Sequence, residues 1–286
     1  MRAASNAVVA DVLEEGYAFS SADFERVRTL IYQHAGIALN PSKRSMVYSR
    51  LSRRLRQRAC SDFRSYLDAL EATPAGSGEW QDFINALTTN LTYFYRESHH
   101  FPILARHLQR PGAAATQSLW CCAASTGEEP CSIAITAMQA LGSRQPPVRL
   151  LATDIDTNVL AKARAGVFGD DAASKLEPSL LKQYFLRGRG SNEGMVRAHP
   201  DVQALIDYRP LNLLDSQWPI DGQFDAIFCR NVMIYFDRET QLRVLRGLAA
   251  RLKPDGLLFA GHSENFSHAR DLIELQGHTV YKLARR

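Results

Sequence analysis

Four short stretches place polar residues where a ligand can use them. The first, 123–130, reads Ala-Ala-Ser-Thr-Gly-Glu-Glu-Pro and lies between an apolar run and a helical pattern. Its small residues permit close backbone approach, and Pro130 suits a first helical turn. Glu128 and Glu129 argue against a phosphate ligand, because a helix N-terminus that holds phosphate does not normally add negative charge beside it. They suit a cation. The second stretch puts Asp154 at the tip of an apolar run, where an acid can accept both hydroxyls of a ribose. The third sets Asn212, whose amide can meet an adenine edge, beside Leu213, an apolar wall. The fourth places Arg230 and Asn231 directly after another apolar run, an unusual pair for a solvated loop. A cation partner, a ribose acceptor and an adenine wall together fit S-adenosylmethionine, whose sulfonium and ammonium carry positive charge. Taken singly, each stretch also has a plainer reading: a strand-to-helix turn at 123–130, a helix N-cap at Asp154, an ordinary loop asparagine at 212.

Side chains spaced this far apart in sequence need a scaffold that brings loops together, and an open parallel sheet does so at the carboxyl ends of its strands. Short apolar runs at 118–123, 148–152, 226–229 and 257–260 alternate with helical patterns at 129–141, 156–165 and 238–252, the signature of a doubly wound α/β sheet. Between 170 and 208 that rhythm breaks at a glycine-bearing segment flanked by extended-looking 184–186 and 195–196, which predicts an inserted β-hairpin unit. Upstream the periodicity is helical throughout. Phe24, Val27 and Ile31 mark a helix with Ser21 or Asp23 as cap and Gly36 as stop; 41–58 is a second helix; Asp62 caps a third; Trp80 to Leu87 lie in a fourth and 101–108 in a fifth. The first ten residues have no clear period and are expected to form a loose end.

At 286 residues a smaller domain plus a larger one is the natural expectation, and 45% hydrophobic with 22% charged residues excludes a disordered chain. No run approaches the roughly 18 apolar residues of a membrane span, and the N-terminus has no basic stretch followed by an apolar one, so a cytoplasmic location is expected. The five cysteines lack zinc-site spacing and read as buried thiols, and the eight histidines read as structural. The net charge of +4 is unevenly placed: Lys43, Arg44, Arg50, Arg53, Arg54, Arg56 and Arg58 occur without an intervening acid. Such a helix can dock an acidic partner, or simply face solvent; a nucleic-acid role lacks interleaved aromatics.

Five ordered segments, 87–97, 123–130, 152–157, 228–237 and 256–265, resemble the CheR family of chemotaxis methyltransferases, and the likeness runs from about Phe24 to the C-terminus. The resemblance implies an all-helical domain at 1–86, which docks substrate, and a Rossmann-like S-adenosylmethionine-dependent methyltransferase domain at 87–286 with a small β-subdomain inserted at about 172–208. It implies that Asn90, Thr92 and Arg96 close over the cofactor, that Glu129 meets its methionine part and Asp154 its ribose, and that Asn212, Leu213, Arg230 and Asn231 surround adenine and the remaining edges. The implied reaction esterifies receptor glutamates, with S-adenosylhomocysteine as product and no metal. Arg96 and Tyr235 are the candidate catalytic residues, with an ion pair to Glu97 and a core position as their respective alternatives. The expected partners are the cytoplasmic methylation helices of chemoreceptors and a receptor C-terminal tail peptide held by the insert; the enzyme is expected to be monomeric and recruited to membrane receptor arrays. Cys121, Cys122 and Cys131 depart from the family pattern and are expected to touch no proposed contact. The rival readings are a small-molecule or nucleic-acid methyltransferase on the same sheet and a cofactor-binding adaptor without turnover.

Overall fold

In the computed structural model, residues 16–285 are described; the expected loose end over the first ten residues lies outside the described residues. Five helices come first: α1 (Ser21–Ala35), α2 (Arg44–Gln57), α3 (Phe63–Glu71), α4 (Gly78–Leu87) and α5 (His100–Leu108). Local signals fix their ends. Ser20, one residue before the expected cap, accepts the Asp23 amide at 3.1 Å while the Asp23 carboxylate takes the Ser20 amide at 2.8 Å, a reciprocal pair that satisfies two orphan donors. Gly36 stops α1 with φ 67°, where a side chain would be strained. Asp62 caps α3 through the Ser65 amide at 2.7 Å. The expected second helix opens with a tighter 3₁₀ turn at Pro41–Lys43. Val27, Ile31, Val47, Leu51, Phe63, Leu67 and Phe83 are fully buried between α1, α2, α3 and α4, so these helices share one core.

The remaining chain alternates: β1 (Gln117–Cys121), α6 (Glu128–Ala140), β2 (Val148–Asp154), α7 (Thr157–Ala165), β3 (Val167–Gly169), α8 (Asp170–Ala173), α9 (Pro178–Tyr184), β4 (Phe185–Arg187), β5 (Met195–Ala198), α10 (Pro200–Ala204), β6 (Ile206–Pro210), β7 (Phe224–Cys229), α11 (Arg238–Arg251), β8 (Leu252–Ala260), β9 (Ile273–Gly277) and β10 (Val280–Leu283). The main sheet has the order β6-β2-β1-β7-β8-β10-β9. Its first five strands are parallel, and β10 pairs antiparallel with β8 on one side and β9 on the other. β7 is buried at every position, as a strand covered on both faces must be, which is why it reads as an unbroken apolar run. The chain winds from β1 outward to β2 and β6, then returns to β7 on the other side of β1. That reversal splits the loops beyond β1 and β7 apart and opens a crevice at their carboxyl ends.

The inserted unit is a three-stranded sheet of order β3-β5-β4 rather than a hairpin. It takes in Val167–Gly169 and so starts ahead of the expected position near 172. Phe94, from the segment joining the two halves of the chain, packs against Phe168 and Phe185 with ring centroids 4.8 and 5.3 Å apart, so the small sheet shares the core of the large one. Among the described residues no helix is long and apolar enough to cross a membrane.

At the end of β7 away from the crevice, the fully buried Asp225 accepts from the Ser118 amide at 2.8 Å, Arg110 Nη2 at 2.9 Å and Lys253 Nζ at 2.7 Å. Burial alone would raise its carboxyl, but Lys253, the Ser118 amide and Arg110 outweigh that and hold it below the ordinary range. The Asp225→Ala variant leaves Lys253 without its carboxylate, the Ser118 amide without its acceptor and Arg110 with Asp255 alone, and is expected to lose about 3 kcal/mol of stability. Thermal unfolding should then show Tm lowered by roughly 6 to 12 °C.

Candidate functional site

The carboxyl-end loops of β1, β2, β6 and β7 converge on a cavity of about 370 Å³, completed by residues 35–46 of the helical part and by the 87–96 segment. Asn90, Thr92, Arg96, Glu129, Asp154, Asn212, Leu213, Arg230, Asn231 and Tyr235 all line it, together with Lys43.

Asp154 ends β2 as expected and is not the N-cap of α7. That role belongs to Asp156, which accepts the Asn158 and Val159 amides. The Asp154 carboxylate takes the Ser125 amide at 2.8 Å on Oδ2 and the Asp156 amide at 2.9 Å on Oδ1, which fixes its plane and leaves one lone pair on each oxygen for a further donor. Burial pushes it up to about 6 against the pull of those amides. Gly127, with φ 102°, turns the chain from β1 into α6; a Cβ there would meet Ala163 at 3.0 Å. The turn delivers Glu129 into the first turn of α6, buried.

Opposite Glu129 stands Arg230. Its side chain is fully buried, with Nη1 2.9 Å from Glu129 Oε2 and Nη2 3.4 Å from Glu97 Oε2; Nη2 also donates to the Arg96 carbonyl. Its Nε is buried without a protein acceptor. Burial raises the Glu129 carboxyl, and Arg230 only partly offsets it. For Glu97 the same burial is outweighed by Arg230, the His262 amide and Asn231, leaving it below its ordinary value. Glu97 therefore pairs with Arg230 and not with Arg96, whose Nη1 instead donates to the Leu91 carbonyl at 2.8 Å. Donor atoms of Glu97, His99 and His100 lie within 4.8 Å of one another, but the Arg230 guanidinium beside Glu97 opposes a metal cation there. Contrary to expectation, one atypical cysteine does reach a site residue: Cys121 Sγ donates to Glu129 Oε1 at 3.4 Å.

Asn212 points elsewhere with half of its amide. Nδ2 donates to the His34 carbonyl at 2.7 Å and Oδ1 accepts the Leu214 amide at 2.9 Å, leaving one hydrogen and one lone pair for a ligand. Two more bonds tie α1 and the turn after it to the same region: the Ala38 amide donates to the Tyr235 carbonyl at 2.9 Å, and Tyr32 Oη to Asp237 Oδ2 at 2.5 Å. Tyr235 itself is half-buried against the second apolar layer.

The residue that sequence reading passed over is Glu264. Buried between loops, it accepts the amides of Asn231 at 3.0 Å, Met233 at 2.8 Å and Gly261. It thereby fixes the turn that carries Arg230, Asn231 and Tyr235, in which Asn231 adopts φ 57°. Gly261 must lack a side chain, since a Cβ would stand 2.3 Å from Asn231 Nδ2. Burial raises the Glu264 carboxyl while the three amides pull it down. Tyr95, Glu97 and Ser125 are also left-handed, so four non-glycine residues around the cavity hold a conformation costly for most side chains.

The basic helix divides. Arg54 pairs with Glu79 at 2.7 Å and Asp82 at 3.0 Å, Arg58 with Glu79 at 3.2 Å, Arg50 donates to the Thr88 carbonyl and Arg44 to the Phe19 carbonyl. Lys43, Arg44, Arg53, Arg56 and Arg58 present exposed side chains, whereas Arg50 and Arg54 are partly buried.

A buried cation flanked by carboxylates, a strand-tip acid with spare lone pairs and an apolar wall fit S-adenosylmethionine. The family description "CheR methyltransferase, all-alpha domain" matches residues 22–88, and "CheR methyltransferase, SAM binding domain" matches 90–282. A chemotaxis protein methyltransferase of Escherichia coli is 52% identical over 273 residues, covering 96% of this chain and 94% of that protein. One from Klebsiella aerogenes is 55% identical over 267 residues, covering 93% and 91%, and the chemotaxis protein methyltransferase 2 of Pseudomonas aeruginosa is 51% identical over 270 residues, covering 93% and 94%. With both halves matched in order and the cavity formed where they meet, the chain belongs to the CheR methyltransferases and binds S-adenosylmethionine.

Proposed function

We propose that this protein transfers the methyl group of S-adenosylmethionine to glutamate side chains of chemoreceptors, forming methyl esters for sensory adaptation. The observation that carries the reading is the convergence of Arg96, Glu129, Asp154, Arg230, Asn231 and Tyr235 on one cavity. Bound there, the cofactor supplies an electrophilic methyl on a sulfonium. Asp154 has a lone pair on each oxygen for the two ribose hydroxyls, and Glu129 is the negative partner for the ammonium. Arg230 and Asn231 border the methionine and adenine edges.

The acceptor needs no general base. A glutamate carboxylate has an ordinary pKa of about 4.3 and arrives ionised at neutral pH. What remains for the protein is alignment of a carboxylate oxygen in line with methyl and sulfur, in a site where the loss of both charges is favoured by limited water. Arg96 orients the carboxylate through paired hydrogen bonds, and Tyr235 packs near the sulfur or bonds the acceptor. Lys43, Arg44, Arg53, Arg56 and Arg58, all exposed, attract the acidic methylation helices, while Arg50 and Arg54 mainly hold the helical domain together. The open edges of the β3-β5-β4 sheet offer unpaired backbone to a receptor tail peptide. The reaction takes place in the cytoplasm at receptor arrays, by a monomer.

Three outcomes test this reading. Labelled methyl should pass from the cofactor to receptor-containing membranes and be released by alkali, and Asp154→Ala should abolish it; label stable to alkali would identify a different acceptor. Cofactor affinity, measured by calorimetry, should fall as pH drops through about 6, because the ribose hydroxyls bond the ionised Asp154 and protonation in the free protein removes that acceptor. Asp154→Asn should bind more weakly and show a flatter profile. In Glu264→Gln the side-chain NH2 replaces one of the two acceptor oxygens and faces the Met233 amide or those of Asn231 and Gly261, so cofactor binding should weaken about tenfold or more while circular dichroism stays native; unaltered affinity would remove Glu264 from the site's architecture.

A further inference from the structure

Arg96 lines the cavity as a half-buried cation, and among the described residues no carboxylate pairs with it, so other groups must hold it. Two contacts do. Nη1 donates to the Leu91 carbonyl at 2.8 Å, and the guanidinium carbon lies 5.9 Å from the centre of the Tyr93 ring. The chain folds back to make the second contact. The Arg96 amide donates to the Tyr93 carbonyl at 3.3 Å, closing a turn whose third residue, Tyr95, stands at φ 53° with its own amide on Ser132 Oγ at 3.0 Å. A second cation shares the ring: Lys175 Nζ, from the stretch between α8 and α9 of the inserted unit, lies 4.6 Å from its centre. The next residue, Phe94, packs against Phe168 and Phe185 of the small sheet, so the insert holds both the ring and the backbone beside it. Tyr93 does not itself line the cavity, although Thr92 and Arg96 do.

We propose that Tyr93 is a positioning residue for Arg96 and that the inserted unit steadies it through Lys175, an inference that rests on the reading of Arg96 as the group that orients the acceptor carboxylate. An aromatic ring suits this task for an electrostatic reason. Its face attracts a guanidinium within about 6 Å through the ring quadrupole and accepts none of the N–H groups in the plane. A carboxylate in the same place would take those donors and cancel the charge. One N–H of Arg96 goes to Leu91, and the rest of the fork stays available for the paired bonds that an incoming carboxylate makes. The inserted unit thus sets the aim of a cavity residue as well as offering strand edges to a peptide. Because Tyr93 touches the site only through Arg96, its influence falls on the acceptor and leaves the cofactor alone.

The test compares Tyr93→Leu, Tyr93→Phe and Lys175→Met in steady-state methyl transfer to receptor-containing membranes, with cofactor Kd and Tm measured on the same preparations. Tyr93→Leu should lower kcat/KM for the receptor about fivefold at unchanged cofactor Kd and Tm, and Tyr93→Phe, which keeps the ring face, should stay near the parent. Lys175→Met should fall between the two. Full activity in Tyr93→Leu overturns the proposal, and so does a phenylalanine variant as impaired as the leucine one. A Tm lowered in step with activity would make Tyr93 a packing residue, and a cofactor Kd weakened as much as kcat/KM falls would assign its effect to the cofactor; either result overturns the role proposed. Parental activity in Lys175→Met overturns the part given to the inserted unit. If the parent protein forms no alkali-labile ester on receptors, the receptor reading falls and the role of Tyr93 with it; an active parent with an unaffected Tyr93→Leu sinks the Tyr93 proposal alone.

Discussion

A guanidinium with no exposed side-chain surface survives in this interior because two carboxylates from distant parts of the chain meet it. Arg230 lies between Glu129, which enters from the turn after β1, and Glu97, which enters from the segment joining the helical part to the sheet. Removing water from an ion costs several kcal/mol, so the position of each partner is constrained by the need to stay close. Three stretches of chain are thereby tied at one point, and the cavity is the space they leave. Glu129 also lines the cavity, its carboxyl raised by burial and pulled back in part by Arg230.

Around this knot the backbone is preorganised at local cost. Tyr95, Glu97, Ser125 and Asn231 adopt left-handed conformations, and the Glu264 carboxylate gathers amides from both sides of the Asn231 turn. Such strain persists only where surrounding bonds over-determine it. The compensation is a site whose groups need little rearrangement when charge changes, which suits a transfer whose difficulty lies in alignment more than in proton movement.

Much of this was legible in the sequence. Apolar runs ending in a charged or amide residue located Asp154 and Arg230 because a strand buried on both faces cannot carry such groups before its tip. Capping residues located the helices to within a residue or two. What escaped did so for identifiable reasons. β6 alternates Ile, Asp, Tyr and Arg at a sheet edge and lacks the continuous apolar signature of its neighbours. β9 and β10 pair antiparallel with charged faces, and β3 is three residues long. Glu264 acts through the main-chain amides of Asn231 and Met233, some thirty residues away, as well as that of nearby Gly261, a relation that no side-chain pattern encodes. The basic helix misled in part, since Arg50 and Arg54 bond the Thr88 carbonyl and the acids of α4, partners invisible until α4 and the 87–96 segment were placed.

The three bonds that stitch α1 and its following turn to the loops beyond β6 and β7, from Asn212 to His34, Ala38 to Tyr235 and Tyr32 to Asp237, form a seam along one wall of the cavity. Each contributes about 1 kcal/mol net, so parting all three together costs roughly 3 kcal/mol and leaves the parted form below about one per cent of molecules. The wall is therefore only as firm as the contact between the helical part and the sheet. Whatever loosens α1 from those loops opens the cavity wall as well, so the shape of the site is a property of how the two parts of the chain are joined.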